Sequence, residues 1–293
     1  MLRFSRPTPD AVKNALSLKS GATDHFVICD SLSEFAGYAE QRRATGKISA
    51  FGAKCWTNNR DFSDACRLAR TGDLAAVEPS AALLDKFEQF TFPTSRHTWR
   101  DDMAGSVANV PAFIAGTPCA MRRRVKQQNE GAPIAIVADL TSSSAISNEQ
   151  IQKRGAAILA LVRAVSNRRP LELWVCTMLD AKGLRDCITI AARIETAPLD
   201  LASAAHALTC VSMSRGLMYS CSRELGYIGD WPYGKAARHR PHMAAILSPA
   251  FSHVTETLCL PAIHENDQSV TAPEKWLGNR LAELAPVNLD DAA

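Results

Sequence analysis

The chain has 293 residues, 46% hydrophobic and 22% charged, the balance of a folded protein rather than a disordered one. A net charge of +3 is too slight for a dedicated nucleic-acid binder, and a chain this long buries a sizeable core without disulfides. No uncharged apolar stretch reaches the roughly 18 residues of a membrane span. Arg3, Arg6, Asp10 and Lys13 interrupt the N-terminus where a signal peptide would be apolar. The nine cysteines include no C-x-x-C pair, and several lie in apolar runs, so they read as reduced core residues. A cytoplasmic protein is expected, with no membrane and no nucleic-acid partner.

Residues 1–130 read as a mainly helical N-terminal region. Phe62, Cys66 and Leu68-Ala69 recur at helical spacing, with Asn58 and Asn59 as candidate caps and Gly72 as a stop. Ser80 opens a second helix through Leu83, Leu84 and Phe87 that ends before Pro93. From Trp99 to Arg124, Gly105, Pro111, Gly116 and Pro118 cut the chain into short pieces. Arg122-Arg123-Arg124 with Lys126, Arg168-Arg169 and Arg238-His239-Arg240 read as solvated loops and helix ends, because no aromatic residues interleave with them to stack bases.

Residues 131–293 are patterned more sharply. Ile134-Ala-Ile-Val-Ala138 is a continuous apolar run, as in a strand buried on both faces of a parallel sheet. Ile151, Ile158, Leu161, Val162 and Val165 share one face of the helix that follows, which Pro170 stops. Leu171–Leu179 is the next strand, and the short link Asp180–Asp186 requires that Cys187–Ile194 return antiparallel to it. Pro198 and Asp200 open a helix reaching Thr209, Tyr227–Pro241 is loop-like, Val254–Leu260 is a last inner strand, and Glu274–Leu284 is a closing helix. The fold class is α/β: a doubly wound, mostly parallel sheet with one antiparallel edge strand.

Asp139-Leu-Thr141-Ser-Ser143 sits just past the carboxyl end of the first strand of this half, the end where open α/β sheets collect ligands. One carboxylate with neutral hydroxyls is a hard-oxygen set, suited to Mg²⁺ or Mn²⁺ rather than zinc. Such a set leaves the ion under-neutralised, and an acidic group from a partner would complete it. Asp139 capping the following turn is the structural alternative.

This run, its helix and the hairpin of residues 171–194 together resemble the von Willebrand factor A-type domain over roughly residues 130–285. The resemblance implies that Asp139, Thr141 and Ser143 match the first loop of a metal-ion-dependent adhesion site. Thr196 or Thr209 stands in for the second-loop threonine, without the family's glycine pair, and Asp267 for the third-loop aspartate. Two segments, Val107–Pro118 and Pro198–Leu208, are also similar to bacteriophage-encoded proteins, which implies a location in host cytoplasm or virion.

Other constellations carry less. His239 and His242 lie in a Pro-containing loop, and His206 in an apolar helix reads as a satisfied, half-buried residue. Cys210 reads as a buried thiol, although His206 lies one helical turn away. Trp231-Pro-Tyr233 is a loop anchor or an exposed contact, and phosphate-binding glycine motifs are absent. The expected function is a non-catalytic protein-interaction or adaptor protein, whose partner presents an acidic residue to a metal held by Asp139, Thr141, Ser143 and Asp267. The alternatives are a metal-dependent phosphatase or nuclease using Asp139, and a structural protein without metal.

Overall fold

The computed structural model describes residues 25–48, 57, 60–78, 97–126, 133–143, 145–166, 169–180, 187–224, 254 and 256–284. The strands are β1 (His25–Cys29), β2 (His97–Asp102), β3 (Val107–Ala108), β4 (Met121–Lys126), β5 (Ile134–Asp139), β6 (Leu171–Asp180), β7 (Cys187–Ile194) and β8 (Glu256–Leu260). The helices are α1 (Leu32–Ala44), α2 (Phe62–Thr71), α3 (Val110–Ile114), α4 (Asn148–Ser166), α5 (Leu201–Thr209), α6 (Tyr219–Glu224), α7 (Gln268–Thr271) and α8 (Pro273–Glu283). A π-helical segment, Ser212–Met218, leads into α6.

The main sheet runs in the order β1-β7-β6-β5-β8. Every residue of β5 is buried, and successive side chains point to opposite faces of a strand, so both faces of the sheet are covered. Each fully buried Ile or Leu in such a core contributes roughly 1.5–3 kcal/mol. β5 pairs parallel with β6 through the crossover helix α4, and parallel with β8 on its other side. β7 returns antiparallel to β6, as the short link between them requires.

The edge position expected for β7 is corrected: β1 pairs with it in parallel and lies outside it. β7 carries Ile188, Ile190, Ala191, Ala192 and Ile194 as buried residues, and a strand this apolar would be a liability with one side unpaired. The core crosses residue 130 without a break. Phe35, Ala36 and Ala39 of α1 and Phe62, Ala65 and Cys66 of α2 join Ile134, Ile136, Leu173 and Val175 in one hydrophobic cluster.

α2 and α5 lie where the sequence pattern puts them, with one change of cap. Asp61, immediately before Phe62, accepts from the Asp64 N–H at 2.8 Å, a role expected of Asn58 or Asn59. Asp200 caps α5 by accepting from the Ser203 N–H at 3.1 Å. Gly72 ends α2 at φ +71, and a Cβ there would lie 2.6 Å from the Ala202 Cβ. The bare glycine therefore lets the end of α2 dock onto the start of α5. Gly155 does the same for α4 and α5, since its Cβ would lie 2.4 Å from the Leu208 carbonyl oxygen.

A second, three-stranded sheet of order β2-β4-β3 forms where the sequence pattern suggested only short pieces. Trp99, Met103, Val107, Val110, Phe113 and Ile114 around it are exposed. Asp101 and Asp102 pair with Arg122 and Arg123, so this basic cluster is partly neutralised. The helix expected from Ser80, Arg168, and the Tyr227–Pro241 loop with Trp231, Tyr233, His239 and His242 lie outside the described residues. No helix among the described residues is long and apolar enough to cross a membrane.

Gly155→Ala tests the α4–α5 contact. Helix propensity favours alanine by up to about 1 kcal/mol, but overpacking against fixed backbone costs about 1–3 kcal/mol. The expected outcome is net destabilisation in urea unfolding, whereas Gly278→Ala, with nothing within 4 Å of its Cβ position, stabilises or is neutral.

Candidate functional site

β5 delivers Asp139 to the carboxyl end of the sheet at 6% exposure. Its Oδ1 accepts from the Thr141 N–H at 2.8 Å. The Thr141 hydroxyl turns to β6, accepting from the Met178 N–H at 3.2 Å and donating to the Met178 carbonyl at 3.5 Å. Ser143 is exposed, and its Oγ accepts from the Ala145 N–H at 3.2 Å. The loop is held from the other side by Arg215, 5% exposed in the π-helical segment. Its Nε donates to Ser142 Oγ at 3.2 Å, its Nη1 to Asn148 Oδ1 at 3.2 Å, and its Nη2 to the carbonyls of Ser143 and Ile146 at 2.8 and 2.6 Å.

The loop after β8 meets this one. Ser142 and Ile263 form a parallel bridge, with the Ile263 N–H donating to the Thr141 carbonyl at 3.3 Å. Asp267 caps α7, its Oδ1 accepting from Ser269 N–H and Oγ–H at 2.8 and 2.6 Å. Its Oδ2 accepts from Arg154 Nη1 at 2.8 Å. Arg154, on α4, is 5% exposed and also donates to the Pro261 carbonyl. Burial pulls the Arg154 pKa down, and the charges of Asp267 and then Asp139 oppose that fall. The two aspartates of the expected metal set are thus brought together around a guanidinium.

An open cavity of about 620 Å³ lies over this pairing, lined by Ser143, Arg154, His264, Asp267, Trp276 and Arg280 among others. Arg280 binds Glu283 through Nη1 at 2.7 Å, while its Nε is buried without a hydrogen-bond partner. The strand order turns at β5, with β6 on one side and β8 on the other, and such switch points are where α/β sheets hold ligands.

As a site for Mg²⁺ or Mn²⁺ the four oxygen residues do not fit in this arrangement. Hard-cation sites need convergent oxygens, and here the Thr141 hydroxyl turns to β6 and the Ser143 hydroxyl to its own turn. Thr196 and Thr209 are not brought in either: their hydroxyls donate to the carbonyls of Leu171 and Ala205. The pattern missed the arginines at these loops, Arg154, Arg215 and Arg280. For Arg154 a signal was present, because it falls three residues after Ile151 and four before Ile158, on the apolar face of α4. A cation in that stripe requires a buried oxygen partner.

His206 is corrected from half-buried and satisfied to fully buried, with neither ring nitrogen hydrogen-bonded. Burial drives its pKa down to about 4, against the pull of Asp73 and with a further push from Arg60. The Cys210 thiol is pushed up to about 11, mainly by burial and then by Asp73, which does not suit an activated nucleophile. Cys119 is exposed rather than part of the core.

The fold and site define an α/β protein with a polar cleft at a sheet switch point. The chain belongs to the family described as Domain of unknown function (DUF7192), which it matches over residues 14–282. No curated protein and no solved structure matches it.

Removing Arg154 leaves the part-buried Asp267 without its cation. Arg154→Leu is expected to cost about 3–5 kcal/mol in urea unfolding, and Arg154→Leu with Asp267→Asn to recover part of that loss. His206 gives a pH signature in chelator-containing buffer. Between its folded value of about 4 and the ordinary 6.5, the unfolded chain binds more protons, so stability falls as pH falls through that window. The expected loss is up to about 3 kcal/mol, read as the difference between wild type and His206→Gln.

Proposed function

We propose that the chain is a non-catalytic protein-interaction protein that receives an acidic side chain of its partner in the cavity between the β5 and β8 loops. The observation that carries this reading is the pair of arginines lining that cavity, Arg154 and Arg280, the latter with a buried, unpartnered Nε. A guanidinium is suited to a carboxylate because its planar fork donates two parallel hydrogen bonds. In the expected form of this function a bound Mg²⁺ or Mn²⁺ meets the partner's carboxylate; in the form proposed here an arginine does.

Two further observations support the reading. The strand sequence β5, α4, β6, antiparallel β7 follows the order that the likeness to a von Willebrand factor A-type domain implies. The exposed apolar residues around the small sheet, Trp99, Phe113 and Ile114 among them, are of the kind that mark protein-contact surfaces.

The test is fluorescence-polarisation binding to a peptide library in which each Glu- or Asp-containing peptide is matched by its Gln or Asn counterpart. At least tenfold preference for acidic peptides is expected, weakened by salt and lost by Arg280→Ala. A library in which no acidic peptide outcompetes its amide counterpart overturns the reading. Calorimetric titration of Mg²⁺ and Mn²⁺ into wild type and Asp139→Ala decides between the two forms: saturable binding lost in the variant restores the metal. Manganese-dependent cleavage of a phosphate ester or single-stranded DNA, abolished by Asp139→Asn, would replace both with the hydrolase.

A further inference from the structure

A second cluster lies away from the cleft, where the end of α2 meets α5. We propose that Asp73, His206 and Cys210 form a transition-metal site, with Zn²⁺ the ion that suits it best. One ligand atom from each residue lies within 4.8 Å of the other two, and Cys210 Sγ already lies 3.6 Å from Asp73 Oδ2. Ligands around a tetrahedral zinc, bound at about 2.0–2.3 Å, stand roughly 3.3–3.6 Å apart. Side-chain adjustments of roughly an ångström close the site.

The placement follows from the fold. His206 and Cys210 are four residues apart at the C-terminal end of α5, which puts both side chains on one face of the helix. Asp73 comes from the residue after Gly72, and its N–H donates to the Ala202 carbonyl at 3.2 Å. The missing Cβ of Gly72 is what permits that approach. Both His206 and Asp73 are at least 95% buried.

The independent observation is the imidazole itself. His206 is fully buried, and neither ring nitrogen has a hydrogen-bond partner. A buried polar group left unmatched is costly, and native structures rarely keep one without a reason. A metal ion accepts one nitrogen lone pair directly. The donor set of neutral imidazole, thiolate and carboxylate balances a divalent charge, and its nitrogen and sulfur select zinc over magnesium or calcium. Arg60 donates to Asp73 Oδ2 and the Ala75 N–H to its Oδ1 at 3.1 Å, orienting the carboxylate as outer-shell partners do. On binding, the Cys210 thiol releases its proton to solvent as the Sγ–Zn bond forms, and water fills the fourth position. No electron transfer is involved.

Co²⁺ is the spectroscopic probe and the full chain, stripped with chelator, is the sample. Wild type is expected to take up one Co²⁺ with a thiolate-to-cobalt charge-transfer band in the near ultraviolet, and one equivalent of Zn²⁺ to bleach it. Cys210→Ser abolishes the band, His206→Gln weakens binding at least tenfold, and Cys259→Ser leaves both intact. A readout on wild type alone guards against misfolded variants. One equivalent of Zn²⁺ slows iodoacetamide labelling of Cys210 at least tenfold, read by peptide mass spectrometry, while exposed Cys119 labels at its usual rate. No band in wild type, a band that survives Cys210→Ser, or unprotected Cys210 overturns the site.

Discussion

Two guanidinium groups have been taken out of water at the carboxyl end of the sheet, and the loops there are arranged to answer them. Arg154 and Arg215 each retain about 5% exposure, and a guanidinium keeps its charge and five donors at any ordinary pH. Desolvating such an ion costs several kcal/mol unless oxygens surround it. Arg215 collects Ser142, Ser143, Ile146 and Asn148, which fixes the chain between β5 and α4. Arg154 collects Asp267 and Pro261, which fixes the chain after β8. The shape of the cleft is therefore a consequence of charge compensation more than of loop sequence, and its two rims meet at the Ser142–Ile263 bridge.

The sequence made the inner part of the fold legible because its signals there are local. Five apolar residues in a row at Ile134–Ala138, a helix with its apolar stripe, and a link too short for a crossover together define β5, α4, β6 and β7. What was not legible depends on partners distant in the chain. Val27-Ile-Cys29 is too short an apolar run to reveal that it covers the far side of β7. Strand β2, His-Thr-Trp-Arg-Asp-Asp, has no alternation to announce it, since neither face at Trp99–Asp102 is deeply buried. At the site, the motif Asp139-x-Thr141-x-Ser143 drew attention to the loop after β5 by its local residue types alone. Its hydroxyls serve the loop and β6, and the arginines beside it take their significance from burial, which the motif does not report. His206 was misjudged similarly, because an apolar helix says that a histidine is buried and nothing about whether it finds a partner.

The cleft and the Asp73–His206–Cys210 cluster are joined by a short mechanical path. Arg154 is followed directly by Gly155, whose bare Cα lies against Leu208, and Leu208 sits between His206 and Cys210 on α5. α4 and α5 therefore meet here backbone to backbone, with the Thr209 side chain beside them. Packing this close leaves little room for either helix to shift without the other.

The pairing of β1 with β7 and of β5 with β8 bears on how the protein is made. On the ribosome, β1 emerges about 160 residues before the strand it pairs with, at residues 187–194, and β5 about 120 before β8, while synthesis runs at roughly 5–20 residues per second. For many seconds the nascent chain therefore carries an unpaired Val-Ile-Cys segment and the half-covered apolar strand β5. Long-range parallel pairing of this kind is intrinsically slow and exposed to aggregation. Expression yield should accordingly be governed by chaperone capacity during synthesis, more than by the stability of the finished sheet.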